Sequence, residues 1–171
     1  MKPLLLRVLL LPLVTVAFAQ KRALPAFDQF GVDEIFTSKP ATPKITGSHR
    51  SYRTMIREGA AKGPNFAGHY TIAEWGCGSS CVSIAIIDAK DGGVYNGPFS
   101  FLGIGWGTSP KYEGRYSPAS EGFKPLSYRI DSRLLIVRGC PQDENCASYF
   151  YEWVDSRFKL LRKLPAVEVK P

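Results

Sequence analysis

The clearest pattern along the chain is a period of two that begins near residue 66 and is punctuated by turn residues. FAGHYTIAEW (66–75), CVSIAIIDA (81–89) and VYNGPFSF (94–101) are rich in β-branched and aromatic residues, the composition of strands lying on a pleated, half-buried surface. Asp91-Gly92-Gly93 predicts a hairpin between the second and third of these. The last third repeats itself: Arg129-Ile130-Asp131-Ser132-Arg133-Leu134-Leu135 is echoed 24 residues later by Trp153-Val154-Asp155-Ser156-Arg157-Phe158-Lys159-Leu160. Each copy reads as strand, Asp-Ser turn, strand, giving two hairpins of a meander. Two copies are too few for a repeat architecture such as a propeller.

Upstream the period changes. In SHRSYRTMIREGAAKG (48–63), Tyr52, Met55, Ile56 and Ala60 recur at helical spacing, Ser48 offers an N-cap, and Gly59 or Gly63 offers a stop. Arg50, Arg53 and Arg57 form another face, read as solvated. Residues 20–47 alternate short apolar pieces (Phe27, Phe30, Ile35, Phe36) with prolines at 25, 40 and 43. Such a segment should run extended over the surface or along a sheet edge. The expected fold is therefore mainly β: an antiparallel meander forming a sandwich or barrel, with one short N-terminal helix. The extended piece 20–47 precedes a single β-rich domain, 48–171.

The start of the chain sets the expected compartment. Lys2 and Arg7, the apolar run from Leu9 to Val16 and the small-residue site Ala17-Phe18-Ala19 have the form of a secretory signal peptide, residues 1–19. The run is shorter than the ~18–20 residues of a spanning helix and contains Pro12. No membrane span is expected after cleavage, and the protein is read as periplasmic or secreted. Without Lys2 and Arg7 the net charge of +7 becomes +5, from 20 basic and 15 acidic residues. The excess is spread out rather than clustered; it favours polyanions at a cell envelope, solubility accounts for it equally well, and no nucleic-acid partner is expected of an exported chain.

Four cysteines in an exported chain predict two disulfides. Pairing Cys77 with Cys140 would close a long loop worth ~4 kcal/mol in the chain-entropy model, against ~2 kcal/mol for each local link. Even so, Cys77–Cys81 and Cys140–Cys146 each bracket a turn-like segment, and the local pairing is expected. It removes the thiolates a zinc site would need, and neither a metal nor a cofactor is expected. A thiol–disulfide catalyst would want C-x-x-C at a helix N-terminus, whereas here the spacing is C-x3-C with β flanks.

A nucleophile is the strongest enzymatic alternative: a small hydrolase using His69 with Cys77 or a nearby serine, Ser79 or Ser80, its imidazole oriented by Glu74 or Asp88. Alternation places His69, Thr71, Ala73 and Trp75 on one strand face and Glu74 on the other, which weakens a local triad. No G-x-S-x-G elbow is present. The binding candidates lie in loops. Trp106, Tyr112 and Tyr116 with Arg115 occupy a Gly- and Pro-rich connection (102–125), where flat apolar faces sit beside positive charge. Asp143 and Glu144 sit in the second cysteine loop, an acidic point on a positive chain and a shape suited to a basic partner's cleft.

The phrases GPNFAGHYTIAEWGCGSSC, YRIDSRLLIVRGC and CASYFYEW resemble a family of small exported proteins of Gram-negative bacteria with no assigned activity, which shares F-A-G-H-Y…W-G-C-G-x-x-C. The resemblance covers about 50 residues around the cysteine pairs. It implies an envelope or secreted location and carries over no catalytic residue. A looser analogy, in size, export, β content and cysteine-clasped loops, is to periplasmic lysozyme inhibitors, whose inhibitory loop sequences do not match here. The function expected from sequence is a non-enzymatic envelope module that binds a protein partner or glycan through clasped loops.

Overall fold

A computed structural model describes residues 23–104 and 124–165. Their strands form one antiparallel sheet in the order β1-β2-β4-β6-β7-β8, with β3 beside β2 and β5 beside β6. The ranges are β1 Tyr70–Gly76, β2 Cys81–Asp88, β3 Val94–Asn96, β4 Leu102–Gly103, β5 Leu126–Ser127, β6 Leu134–Pro141, β7 Ala147–Val154 and β8 Arg157–Pro165. Among the described residues the sheet does not close into a barrel, and β1 and β8 are the ends of the strand order. Two-residue β4 joins its halves: Leu102 pairs with Val82 and Pro141, and Gly103 with Cys81 and Cys140.

The core follows from strand alternation. Ile72, Val82, Ile84 and Ile86 from one half meet Leu135, Val137, Tyr149 and Trp153 from the other, with Phe66, Phe99 and Leu102 between them. The alternate positions of β1 and β2, Ala73, Ala85 and Ile87, pack on helix α1 (Arg53–Ala61) through Ile56 and Ala60. Contact is close because position 59 is glycine; a Cβ there would collide with the Ala73 side chain.

The helix starts later than Ser48 predicts. Residues 47–52 form a 3-10 helix, and Tyr52, without a side-chain cap bond, precedes α1. The change from three to 3.6 residues per turn carries Tyr52 off the buried stripe. Tyr52 and Met55 are exposed while Ile56 and Ala60 are buried. Arg50, Arg53 and Arg57 are exposed, as a solvated face requires.

The N-terminal residues form a strap across the sheet. A 3-10 helix, Phe27–Phe30, lays both phenylalanines against Leu134, Ile136 and Phe150. Beyond it the backbone bonds successive turns: Val32 N–H to Asp131 O, Phe36 N–H to Gly68 O, Ala41 N–H to Ala89 O and Lys44 N–H to Gly92 O. Gly68 and Gly92 have φ of 80° and 79°. A Cβ at either would strike the strap's carbonyls at Glu34 or Thr42, so both turns need glycine for conformation and for clearance.

Three local expectations change. Phe66–His69 is a tight turn rather than strand: Phe66 and Tyr70 bond each other's backbone across Ala67-Gly68-His69, so His69 sits at the strand's mouth. Of VYNGPFSF only Val94–Asn96 is strand, because the chain leaves β2 after Asn96 and rejoins it just beyond this stretch, at Leu102. Of the two Asp-Ser segments only the second is a hairpin turn. Asp155-Ser156 joins β7 to β8 directly, whereas residues 128–133 form a wider loop between β5 and β6.

Candidate functional site

Both disulfides are local, Cys77–Cys81 and Cys140–Cys146, and no described cysteine is free. The first closes the β1–β2 turn, where Gly78 and Ser80 take positive φ (136° and 56°). The second closes the β6–β7 turn, where Gln142, Asp143 and Asn145 all lie in the left-handed region (53°, 59° and 49°) without being glycine. That conformation costs ~1 kcal/mol or more per residue and persists because the loop is tied at several points. Asp143 N–H donates to Cys140 O, Glu144 N–H to Pro141 O and Gln142 N–H to Phe101 O, and the Tyr149 hydroxyl donates to Asn145 O. The carboxyls of Asp143 and Glu144 are left exposed.

These two turns are far apart in sequence, and β4 brings them together. Gly103 is the register partner of Cys81 on one side and of Cys140 on the other, which sets the two cysteines about 10 Å apart across three strands. Gly103 lets the Asp143 carboxylate lie against β4; a Cβ there would push that side chain aside. The connection also begins and ends here: Ile104 N–H donates to Ser80 O in the first clasp, and Arg138 contacts Lys124 O two residues before Cys140. Trp106, Tyr112, Arg115 and Tyr116 lie outside the described residues.

Beside the second clasp is a hollow of about 530 Å³. It exists because Ser83 and Ile84 of β2 face the five residues 97–101, which leave the sheet between β3 and β4. Tyr52 and Trp75 line it as a tilted ring pair, centroids 5.1 Å apart, with His49 bonded to Asn96 at 2.9 Å and Gln142 reaching in from the clasp. Sequence reasoning missed this site. Its signal was Asn96-Gly97-Pro98, a turn triplet inside an apparent strand.

A second cleft, about 500 Å³, holds His69. Its Nε2 lies 3.6 Å from Asp88 Oδ2, while Asp88 Oδ1 accepts the Lys90 N–H at 2.7 Å. Pairing of β1 with β2 makes this contact, since Tyr70 is opposite Asp88. Burial pulls the His69 imidazole below its ordinary pKa, against the opposing pull of Asp88. Burial also raises the neighbouring Tyr70 phenol, and Ser156 lines the same cleft. His69 and Cys77 lie at opposite ends of β1, roughly 25 Å apart along the strand, and exposed Ser79 stays at the Cys77 end. Glu74 accepts a hydrogen bond from Tyr128 at 2.5 Å, away from His69; burial, reinforced by Glu74, raises that phenol's pKa.

Among the described residues no group of three or more His, Cys, Asp or Glu is placed to hold a metal ion. No described helix is long and apolar enough to cross a membrane. Two disulfides are the signature of an oxidising, extracytoplasmic environment. No protein-family model matches the chain, and no match was found among curated proteins or solved structures.

Proposed function

We propose that this is a periplasmic or secreted, non-enzymatic binding module, which engages a protein partner or a glycan of the cell envelope through its clasp-bearing end. One observation carries the reading: Gly103 pairs with both Cys81 and Cys140, so two rigid turns and both ends of the aromatic connection share one rim. Loops ordered before binding lose little entropy on docking. Backbone held in unfavourable conformations by its surroundings is characteristic of recognition sites. Exposed Asp143 and Glu144 on a positive chain suit a basic patch on the partner.

Co-sedimentation with envelope material tests this reading. Asp143→Ala with Glu144→Ala should weaken retention by about tenfold at low salt and less at high salt. Trp106→Ala, Tyr112→Ala and Tyr116→Ala together should weaken it independently of salt. Undiminished retention in both variants would sink the proposal.

The competing reading, a small hydrolase, has one supporting contact, His69 on Asp88 in an open cleft. Its nominated nucleophile Cys77 is bound in a disulfide at the far end of β1. A thiol count of one or more in the native, unreduced protein would revive it.

A further inference from the structure

The hollow beside the second clasp has a lining that is unusual for this chain. Among the described residues that line it there is no Lys, Arg, Asp or Glu, although the chain carries 22 basic and 15 acidic residues. What it offers is one aromatic pair and a set of hydrogen-bonding groups: the amides of Asn96 and Gln142 and the Ser100 hydroxyl, with the His49 ring bonded to Asn96. The pair is accessible, since Tyr52 is 46% exposed against the ring of Trp75. The Trp75 indole N–H is buried and has no acceptor among the described residues.

This chemistry selects a ligand class. An ionised ligand would lose its water shell without meeting an opposite charge, a cost of several kcal/mol. A flat apolar ligand would bury the amides and hydroxyl without partners, at ~1–3 kcal/mol for each group. A ring with an apolar C–H face and hydroxyls around its edge satisfies both halves of the lining. Its face lies on an aromatic surface, and its edge exchanges donors and acceptors with Asn and Gln side chains, which have both. The volume, about 530 Å³, falls within the ~300–1,000 Å³ usual for small-ligand sites.

We propose that this hollow is a subsite for a neutral saccharide, stacked on Tyr52 and Trp75 and hydrogen-bonded by Asn96 and Gln142. The proposal rests on the binding-module reading, which it narrows to a glycan, because Gln142 belongs to the second clasp. It gives the bulge at residues 97–101 a use: the chain detours from the sheet to make room for a ring.

The test is titration of the full chain with triacetylchitotriose and, separately, maltotriose, by calorimetry and tryptophan fluorescence. At least one should bind with a Kd of about 1 mM or tighter. Tyr52→Ala, at an exposed position, should weaken binding by about fivefold or more. Asn96→Ala should do the same through the lost amide. Trp75→Phe should keep much of the affinity and lose the fluorescence response, while Lys159→Ala on β8 should change neither.

No binding of either sugar at about 10 mM, or an unchanged affinity in Tyr52→Ala, overturns the subsite. Envelope co-sedimentation of the same proteins separates the two ideas. If no sugar binds yet the Asp143/Glu144 variant loses envelope material, the subsite falls and the clasp reading stands. If sugar binding depends on Tyr52 while both sets of clasp-end variants keep envelope material, the subsite stands and the clasp reading falls.

Discussion

Asp131-Ser132 and Asp155-Ser156 are the same two residues in similar settings, each followed by arginine and then an apolar position, yet they do different things. Asp155 and Ser156 take φ of 49° and 58° and turn β7 directly into β8, both side chains exposed. Ser132 is only 1% exposed. Its hydroxyl lies 2.8 Å from Phe27 O and 3.3 Å from Phe30 O, and accepts the Leu134 N–H at 3.3 Å. The second copy is determined by its neighbours in sequence, and the first by a segment about a hundred residues earlier. Identical dipeptides therefore diverge wherever a distant element supplies partners that the local sequence cannot.

The largest expected effect comes from removing the distant element's grip. Phe27→Ala with Phe30→Ala uncovers Leu134, Ile136 and Phe150 and should cost ~3 kcal/mol in chemical denaturation. A loss no greater than that of Ser156→Ala would mean that the strap does not hold the first copy in place. Next is Ser132→Ala, which leaves the part-buried Phe27 carbonyl and the buried Leu134 N–H without their hydroxyl partner. A loss of ~1–3 kcal/mol is expected, a fall in Tm of about 2–4 °C per kcal/mol, whereas Ser156→Ala should change little.

A transplant sharpens the contrast further. Replacing Asp155-Ser156 by Asn-Gly, the pair that prefers such a turn, should raise stability by up to ~1 kcal/mol. The same replacement at 131–132 should lower it at least as much as Ser132→Ala. Equal signs at the two sites would break the comparison.

The smallest effect concerns His69, across the cleft from Asp155 and Ser156 and facing Asp88, Lys90, Asp91 and Glu34. Its pKa in the fold is below the ordinary 6.5, so between the two values the unfolded chain binds more protons. Stability should be full above pH 6.5 and decline as pH falls from there to the lowered value. Urea midpoints measured across that interval should show the slope, and His69→Gln should flatten it. A slope that survives in the variant assigns it to other groups.

The same division between local and distant determinants governs what could be read from the sequence. Alternation in CVSIAIIDA, the Asp91-Gly92-Gly93 hairpin and the close cysteine pairs all depend on interactions within a few residues, and all were legible. Helix α1 was legible through Ile56 and Ala60; its start was not, because Tyr52 is drawn to Trp75 rather than to the buried stripe. The His69 to Asp88 contact was half legible, since Asp88 was a candidate partner but only the β1–β2 register selects it. The meeting of the clasps and the hollow beside the second were hidden. Both depend on β4, whose Leu-Gly carries no periodicity, and on a detour where five residues face two.

The strap also orders events in time. A chain exported N-terminus first brings Phe27 and Phe30 into the oxidising compartment before Ser132 and Leu134, their partners. A cysteine clasp spans four or six positions and can close as soon as its own turn has emerged. The strap's bond to Ser132 spans 105 and 102 positions, so the first described segment to be synthesised has to wait for nearly the whole sheet before it can dock. The resulting prolonged exposure of Phe27 and Phe30 is the stage at which a holdase would find something apolar to grip.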